Sequence, residues 1–307
     1  MFGRSKADAF SKQVSEDILT AEAEILSDEN PIKTIVTMFR QNRAALLGLI
    51  VILVIILMAV FAPVVCRWDP LELDLVQMKA APSAAHWFGT DELGRDVFAR
   101  VVYGSRTSLM IDFVPSFISL VLGTLLGLAA GFRGKYVDAF VMRLADVVLA
   151  FPSLLLAMVV MYTLGSSTLN LFIALSIIDW AGTARVVRAQ TLSLKEKEFV
   201  EAARSMGVPR WKIVFRHILP NCLPNLIVLF TLDIPGAIMW ESSLSFLGVG
   251  TQPPASSWGL MVSQGKQYAY MCPWLILAPG LAILITVMAF NFLGDGLRDA
   301  IDPYMKT

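Results

Sequence analysis

The sequence predicts an all-α membrane protein with six transmembrane helices and with both termini in the cytoplasm. Hydrophobic residues make up 56% of the 307-residue chain, whereas about 45–50%, counting Gly, is usual in soluble domains. Charged residues make up only 16%, where a soluble domain has roughly 25%, and the mean hydropathy is +0.65. These values exclude a soluble enzyme, a disordered chain and a basic nucleic-acid-binding protein.

The charge balance and the cysteine count give no sign of an anionic partner or of a disulfide-rich protein. Lys plus Arg and Asp plus Glu both number 25, so the net charge does not indicate an anionic partner. Three cysteines are too few for a disulfide scaffold. Cys66 and Cys272 both fall at the outer ends of predicted spans, where an oxidising periplasm would permit a disulfide. Cys222 is interpreted as a reduced structural thiol on the inner side.

Six apolar stretches are candidates for membrane spans, because a spanning helix needs about 20 largely apolar residues. The predicted spans are residues 44–65, 107–131, 147–164, 169–184, 222–247 and 273–293. The third contains Pro152, the fourth is short and interrupted by Asp179, and the fifth contains Asp233, Pro235 and Glu241. The first span lies behind 43 polar residues, which indicates a retained helix instead of a cleaved signal peptide.

The distribution of basic residues predicts the orientation. With a cytoplasmic N-terminus, 19 of the 25 Lys and Arg residues fall on the inner side, as the positive-inside rule requires. Residues 66–106 then form an extracytoplasmic loop. Residues 107–294 form the core transmembrane domain, which contains a large cytoplasmic loop at residues 185–221, and residues 295–307 form a cytoplasmic tail.

The N-terminal 43 residues are predicted to be cytoplasmic and to divide into two parts. Residues 1–29 carry one apolar stripe on an acidic peptide, which we interpret as a solvated tail. Asn30 and Pro31 then provide an N-cap followed by proline at the first helical position. Residues 31–43 combine an apolar stripe with basic residues, a pattern typical of an interfacial helix in the headgroup plane.

The loop of residues 185–221 is too regular for a linker. Its first helix is predicted to start at Ser193, where Glu196 completes a capping box, and to end at Gly207. Pro209 can open a second helix. Apolar residues repeat at the same spacing in both helices: Phe199, Ala202, Ala203 and Met206 in the first, and Trp211, Val214, Phe215 and Ile218 in the second. Two interpretations stay open, a hairpin lying on the lipid and a plug for a pocket on a cytoplasmic partner.

The run EAARSMG, followed by the dipeptide LP, resembles the EAA loop of ABC importer permeases. The residues that match this pattern are Glu201, Ala202, Ala203, Gly207, Leu219 and Pro220. His217 stands where the general pattern has isoleucine, with Ile218 beside it. This departure weakens the match to the broad superfamily, but a similar HILP run is familiar in the peptide-importer branch.

Four further segments narrow the resemblance. They read RQNRAALLGLIVILV at the first span, HWFGTDELGRDVFARVVYGSRTSL in the outer loop, SFLGVGTQPPASSWGLM after the fifth span and LGDGLRDAIDP near the end. All four resemble the C-type permease of the dipeptide/oligopeptide (nickel) importers. The resemblance covers residues 35–307, and the cargo could be a peptide, nickel or an opine.

This resemblance implies a type I ABC importer architecture and an assembly of several subunits in the bacterial cytoplasmic membrane. Such permeases pair with a second, similar permease, two cytoplasmic ATPases and an extracytoplasmic peptide-binding protein. The EAA loop docks into an ATPase subunit, which makes the following the expected coupling residues: Glu201, Ala202, Ala203, Gly207, Arg210, Trp211, Leu219 and Pro220. ATP and Mg²⁺ would be bound by partner subunits, and this chain would bind no cofactor, metal or nucleic acid.

Four acidic residues lie within predicted spans: Asp112, Asp179, Asp233 and Glu241. A charge in hydrocarbon costs at least about 2.5–3.5 kcal/mol, so such residues usually face a cavity or a partner. One interpretation is that some line the translocation path and meet the amino group of a peptide. Alternatively they cap broken helices, pair with the partner permease or are protonated. Pro235 and Gly236 would break the fifth span, which fits irregular backbone beside a cavity or an ordinary kink.

The chain contains no GxxxxGK[ST], HExxH, CxxC or GxSxG motif, so we expect a conduit without catalytic activity. The GTDELGRD run in the outer loop is open to three interpretations: an ion site, a solvated loop, or a loop that packs on the mouth of the path. A proton-coupled secondary transporter, with the buried acids as its relay, is the alternative function. A structural or signalling scaffold would explain the cytoplasmic loop but not the acids.

Overall fold

Helices and the segments between them make up residues 31–301, the part of the chain that the computed structural model describes. The helices are α1 (Pro31–Gln41), α2 (Arg43–Val60), α3 (Ala62–Val65), α4 (Val97–Arg133), α5 (Lys135–Ala150), α6 (Ser153–Leu164), α7 (Thr168–Leu194), α8 (Glu198–Ser205), α9 (Arg210–Lys212), a π-helical turn (Ile213–Ile218), α10 (Leu219–Phe246), α11 (Trp258–Gly265), a 3₁₀ turn (Lys266–Tyr268) and α12 (Trp274–Ile301). Within these residues the only extended pairing is an isolated bridge between Thr90 and Asp96. The predicted all-helical membrane architecture is confirmed.

Five helical stretches within the described residues are long and apolar enough to cross a membrane. They are α2, α4, α7, the continuous Arg210–Phe246 and α12. A sixth crossing exists if α5 and α6, which meet at a bend of 92°, together form one span. The predicted third span of residues 147–164 is therefore wrong as a continuous helix. Pro152 disfavours helical geometry at the preceding Phe151, which is extended at φ −93° and ψ 143°.

Three helices run beyond the spans predicted from apolar runs. α4 begins at Val97 instead of residue 107, and α7 continues to Leu194 instead of ending at residue 184. α12 reaches Ile301, so residues 295–301 of the predicted tail are part of the last helix, and residues 302–307 lie outside the described range. Backbone hydrogen bonds extend a helix past the hydrocarbon, whereas an apolar run marks only the stretch that contacts lipid or core.

Helices α4 and α7 form the most extensive helix pair in the fold, and three glycines of α4 set their separation. Side chains added at Gly123, Gly127 and Gly131 would lie 2.6 Å from Thr183 Cβ, 2.6 Å from the Ala184 carbonyl oxygen and 2.7 Å from Thr191 Cβ. Small residues at a repeat of four place this contact on one helix face and let two membrane helices approach at backbone distance. The position of α7 is therefore fixed by α4.

The N-terminal helix begins at Pro31, as predicted, and ends at Gln41. Asn42 then caps α2, accepting a 3.1 Å hydrogen bond from the backbone N–H of Ala45. The first span packs closely on the last, because a side chain at Gly48 would lie 2.5 Å from the Ala289 carbonyl oxygen. The solvated tail predicted for residues 1–29, and the capping role of Asn30, lie outside the described residues.

Most of the GTDELGRD run of the outer loop is buried, so of its three interpretations the solvated loop does not fit. Asp91 is 1% exposed and Arg100 is 3% exposed. Asp91 accepts a 2.7 Å hydrogen bond from Arg95 Nε and a charge-assisted one from Arg100. Arg100 Nη2 also donates to Gln264 Oε1 at 2.9 Å, which ties α4 to α11. These contacts fold the loop onto the helix ends.

Candidate functional site

The segment between α7 and α10 is a helical hairpin, as predicted, but it starts later than expected. Ser193 lies inside α7, and the N-cap of α8 is Lys197, so the capping box of Ser193 with Glu196 does not form. The backbone N–H of Lys195 still bonds to the Thr191 carbonyl at 3.0 Å, which shows the helical pattern continuing through Ser193. A helix that is already propagating needs no new N-cap.

Gly207 ends α8, as predicted. Its φ of +76° lies in the left-handed region, which glycine adopts without steric cost. Its N–H bonds to the Arg204 carbonyl at 3.1 Å, and the N–H of Val208 bonds to the Ala203 carbonyl at 3.1 Å. This double hydrogen bond is a Schellman motif. It reverses the chain toward α9, which begins after Pro209.

One side of the hairpin is buried against the ends of the spans. Val200 is fully buried and Ala203 is 1% exposed. Together with residues of α4, α7, the π-helical turn and α10 they form one apolar cluster: Leu128, Val187, Val200, Ala203, Ile213, Ile218, Cys222 and Leu226. The hairpin is therefore packed on the same helices that form the rest of the fold.

Most of the predicted apolar face of the first helix is exposed, which is compatible with both interpretations of the hairpin, on lipid or in a partner's pocket. Of its four residues only Ala203 is buried, and Phe199, Ala202 and Met206 are exposed. The helix buries Val200 with Ala203 instead, three positions apart. The apolar residues of this short helix extend around more than one side, so spacing alone does not decide which side contacts the protein.

Four large apolar side chains remain on the outer side of the hairpin and form what we call the exposed apolar patch. They are Phe199, Met206, Trp211 and Phe215, with exposed fractions of 41%, 75%, 63% and 50%. Exposed charged residues share this surface: Glu198, Glu201, Arg204, Arg210, Lys212 and Arg216. Large exposed apolar side chains among charged residues are typical of a protein-binding site.

A π-helical turn joins the hairpin to the fifth span. The N–H of Leu219 reaches back five residues to the Val214 carbonyl. Pro220 has no N–H to donate to the carbonyl four residues before it, and the wider turn accommodates that loss. Leu219 is half-buried and Pro220 is exposed, so the LP pair lies at the base of the hairpin.

The structure brings two of the four predicted path acids together. Asp179 of α7 and Asp233 of α10 line one cavity of about 390 Å³. The remaining lining residues come from α5, α6, α7 and α10: Leu149, Ser153, Ile178, Gly182, Thr183, Val186, Leu229, Leu232, Gly236, Ala237 and Trp240. α10 continues through Pro235 and Gly236, so the predicted break in this span does not occur.

Asp112 and Glu241 do not line this cavity. Glu241 is 1% exposed, and its Oε1 accepts hydrogen bonds from three hydroxyl groups: Ser245 at 2.7 Å, Thr251 at 3.0 Å and Ser257 at 2.8 Å. Asp112 is also 1% exposed, and neither of its carboxylate oxygens has a hydrogen-bond partner within residues 31–301. Glu241 does not cap a broken helix, because α10 is continuous here, and its carboxylate holds three hydroxyl groups instead.

The histidine and cysteine side chains considered from the sequence do not form a catalytic or metal site within the described residues. His86 Nδ1 lies 2.9 Å from Asp96 Oδ2, and Asp96 Oδ1 caps α4 by accepting from the Ala99 N–H at 2.7 Å. Cys66 and Cys272 are both free thiols, so the disulfide considered from their positions does not form. Across residues 31–301, His, Cys, Asp and Glu side chains form no group of three or more that could hold a metal ion.

Sequence reasoning missed Gly182 and Thr183 at the cavity and considered Gly236 only as a helix breaker. Gly182 and Gly236 are exposed, and a side chain at either would meet nothing within 4 Å. Thr183 lines the same cavity although it is only 5% exposed. A signal was present, because both path acids begin an Asp-x-x-Gly sequence, and residues three apart share a helix face.

Two family models match the chain. One describes a binding-protein-dependent transport system inner membrane component and matches residues 123–307. The other describes the N-terminal transmembrane domain of oligopeptide transport permease C and matches residues 30–82. The two matches leave residues 83–122 between them, which include the second part of the outer loop.

Curated relatives match most of the chain. The dipeptide transport system permease protein DppC of Alkalihalophilus pseudofirmus is 44% identical over 268 residues, covering 87% of this chain and 88% of the relative. The oligopeptide transport system permease protein OppC of Bacillus subtilis is 42% identical with the same coverage. The glutathione transport system permease protein GsiD of Pectobacterium atrosepticum is 42% identical over 269 residues, covering 87% and 89%.

The fold has a counterpart among solved structures. An inward-facing structure of the MetNI methionine ABC transporter superposes with a TM-score of 0.51 and 21% sequence identity. The superposition covers 67% of this chain and 98% of the matched chain. At this identity the similarity shows the fold alone.

Proposed function

The chain belongs to the family of binding-protein-dependent transport system inner membrane components, and from this premise we propose that it moves dipeptides or oligopeptides across the membrane. It is a membrane-spanning permease subunit of an ABC importer and a multi-pass protein of the bacterial inner membrane. The peptide cargo is supported by the names of relatives that are at least 40% identical over most of the chain. Nothing in this family supports the proton-coupled alternative.

The exposed apolar patch is the observation that carries the proposed mechanism. A partner that covers the patch would gain about 25 cal/mol for each Å² of apolar surface removed from water. The hairpin that holds the patch is packed on α4, α7 and α10. A partner that moves against the patch would therefore move these helices. We assign the patch and the coupling residues around it, from Glu201 to Pro220, to docking on an ATPase subunit.

The remaining subunits follow from the same assignment. ATP and Mg²⁺ bind to two ATPase subunits in the cytoplasm, and this chain itself has no catalytic activity and binds no cofactor. An extracytoplasmic binding protein delivers the peptide. This arrangement requires the N- and C-termini and the hairpin to face the cytoplasm, in agreement with the distribution of Lys and Arg.

A second, homologous permease completes the path. The cavity at Asp179 and Asp233 opens on the surface of the chain, where Gly182, Asp233 and Gly236 are all exposed. One chain of five or six spans does not enclose it, so a heterodimer would place this cavity on the path between the two permeases. Asp112 and Glu241 would support the surrounding helices.

The assembly is tested by tagging the chain, extracting it in mild detergent from its native membrane and identifying the co-purifying proteins by mass spectrometry. We expect a second multi-span protein and ATPases with Walker motifs. The variant with Trp211→Ala and Phe215→Ala should lose the ATPases, because both side chains belong to the patch. Tyr270→Ala is the control, since it removes an exposed aromatic residue outside the hairpin. Recovery of the wild-type chain alone would contradict the proposal.

Coupling is tested at Gly207. A side chain there meets nothing within 4 Å, so Gly207→Asp adds a charge beside the patch and backbone strain of about 1–2 kcal/mol. We expect this variant to insert normally but to uncouple peptide uptake from ATP hydrolysis. Gly207→Asn has a similar shape and strain without the charge, and should retain more uptake. Full uptake by Gly207→Asp would count against the docking role.

A further inference from the structure

The cavity between α7 and α10 has the same pair of residues, an aspartate and a glycine, on each of these two helices. On α7, Asp179 is followed three residues later by Gly182, and on α10, Asp233 is followed three residues later by Gly236. A side chain at either glycine would meet nothing within 4 Å, so each glycine opens the space beside its neighbouring carboxylate. Each helix thus presents a carboxylate next to open volume.

Within residues 31–301, the two carboxylates have no counter-ion. Neither Asp179 nor Asp233 forms an ion pair or hydrogen bond with any residue between 31 and 301. The residues that line the cavity include no Lys, Arg or His. Arg185, on the same helix as Asp179, is paired with Asp146 at 2.6 Å instead. The cavity therefore has an uncompensated negative charge.

Thr183 provides an independent indication of a ligand. The residue is only 5% exposed, yet it lines the cavity. Its Cβ and methyl carbon face Gly123 of α4, and its hydroxyl group makes no hydrogen bond within the described residues, unlike Thr191, which bonds to the Val187 carbonyl. The hydroxyl oxygen keeps some exposure, so it is accessible from the cavity that the residue lines and can bond to a group there.

We propose that this cavity binds a primary ammonium group of the cargo, with Asp179, Asp233 and Thr183 as its three oxygen acceptors. An ammonium group has three N–H donors and a positive charge, which matches two carboxylates and one hydroxyl. The ammonium group is either the amino terminus of a peptide or the side chain of a lysine. This inference rests on the proposed function, because it assigns a cargo chemistry to the same path.

The local field is tested directly with Gly236→Cys, which places a thiol in open space beside Asp233. In the complex purified with the tagged chain, modification by cationic and anionic methanethiosulfonate reagents of equal size is followed by the mass of this chain. The cationic reagent should react about 10-fold faster or more, because an acidic cleft concentrates cations. The ratio should fall to within about 2-fold when Asp179→Asn and Asp233→Asn are added. Gly182→Cys repeats the measurement from the other wall, and the chain without an introduced cysteine gives the background.

The ligand chemistry is tested by protection of the introduced thiol. Ala-Ala has a free α-ammonium group, N-acetyl-Ala-Ala has none, and N-acetyl-lysinamide has only a side-chain ammonium group. Protection by Ala-Ala alone assigns the site to the peptide amino terminus, and protection by both ammonium compounds assigns it to primary ammonium groups in general. Equal protection by N-acetyl-Ala-Ala, or loss of the charge preference in the parent Gly236→Cys protein, would overturn the inference.

Failure of this inference differs from failure of the proposed function. If the wild-type complex takes up labelled Ala-Ala with ATP but the thiol shows no charge preference, only the ammonium site is wrong. If the wild-type complex takes up no peptide while the thiol shows the preference, the peptide function is wrong and the cation site remains.

Discussion

Glu241, near the end of the fifth span, accepts a 2.8 Å hydrogen bond from the hydroxyl of Ser257, which caps helix α11. The same serine oxygen accepts from the Leu260 N–H at 3.2 Å, so a buried carboxylate and a helix N-terminus share one hydroxyl. Ser245 and Thr251 donate to the same carboxylate oxygen. Glu241 therefore anchors the segment after α10 to the span itself.

Removing this acceptor should destabilise the protein. Glu241→Ala leaves three buried hydroxyl groups without their acceptor, and each unsatisfied group costs about 1–3 kcal/mol. We expect a loss of at least about 2 kcal/mol, measured as a lower midpoint of thermal unfolding of the detergent-solubilised complex. Glu241→Gln keeps an acceptor oxygen in the same place and should lose much less. Equal losses in both variants would show that the hydrogen bonds do not stabilise the fold.

Asp91 should be the most sensitive position of the outer loop. Asp91→Asn leaves Arg95 and Arg100 buried without their shared counter-ion, and breaking a buried pair in this way costs about 3–5 kcal/mol. We expect the loop to become sensitive to protease added from the outer side, in a limited-proteolysis time course. Glu72→Gln, which changes an exposed residue of the same loop, is the control. Unchanged resistance in Asp91→Asn would contradict the role of the network.

The contact between α4 and α7 should not tolerate a single added carbon. Gly127→Ala places Cβ 2.6 Å from the Ala184 carbonyl oxygen, which is backbone and cannot move aside. Overpacking of this kind costs about 1–3 kcal/mol, so the amount of folded protein recovered from membranes should fall. Gly280→Ala in α12 adds the same carbon where nothing lies within 4 Å and should be neutral. A neutral Gly127→Ala would mean that the two helices separate easily.

The thiol of Cys66 should react slowly with alkylating reagents at neutral pH. Burial, and after it the nearby charge of Asp96, raises the pKa of Cys66 to about 11, with Arg106 opposing the shift. The reactive thiolate is the deprotonated form, so its fraction rises about tenfold with each pH unit until the pH approaches that pKa. The rate of iodoacetamide labelling between pH 7 and pH 9, read from the mass of the peptide that contains Cys66, should rise in the same way. A rate that levels off below pH 9 would contradict the raised pKa.

Much of the helical framework was predictable because apolar runs and turn residues are local signals. The runs located five of the six predicted spans, and Gly207 with Pro209 located the turn of the hairpin. Ser193 was misread as a helix start, since a serine inside a long helix looks the same in sequence as one that caps a new helix. The 92° bend at Pro152 was also missed, because a proline in an apolar run predicts a kink but not its size.

The sequence by itself determined that this chain is a helical membrane protein, the apolar centres of most of its spans, and which family it resembles. Those properties depend on apolar length, on residue periodicity and on short motifs. Only the tertiary structure decided which acids matter together: Asp179 and Asp233 share a cavity, whereas Glu241 serves three hydroxyl groups. In sequence each of the four acids is a single carboxylate within an apolar run. Their surroundings differ because the packing of separate helices decides which helix faces meet.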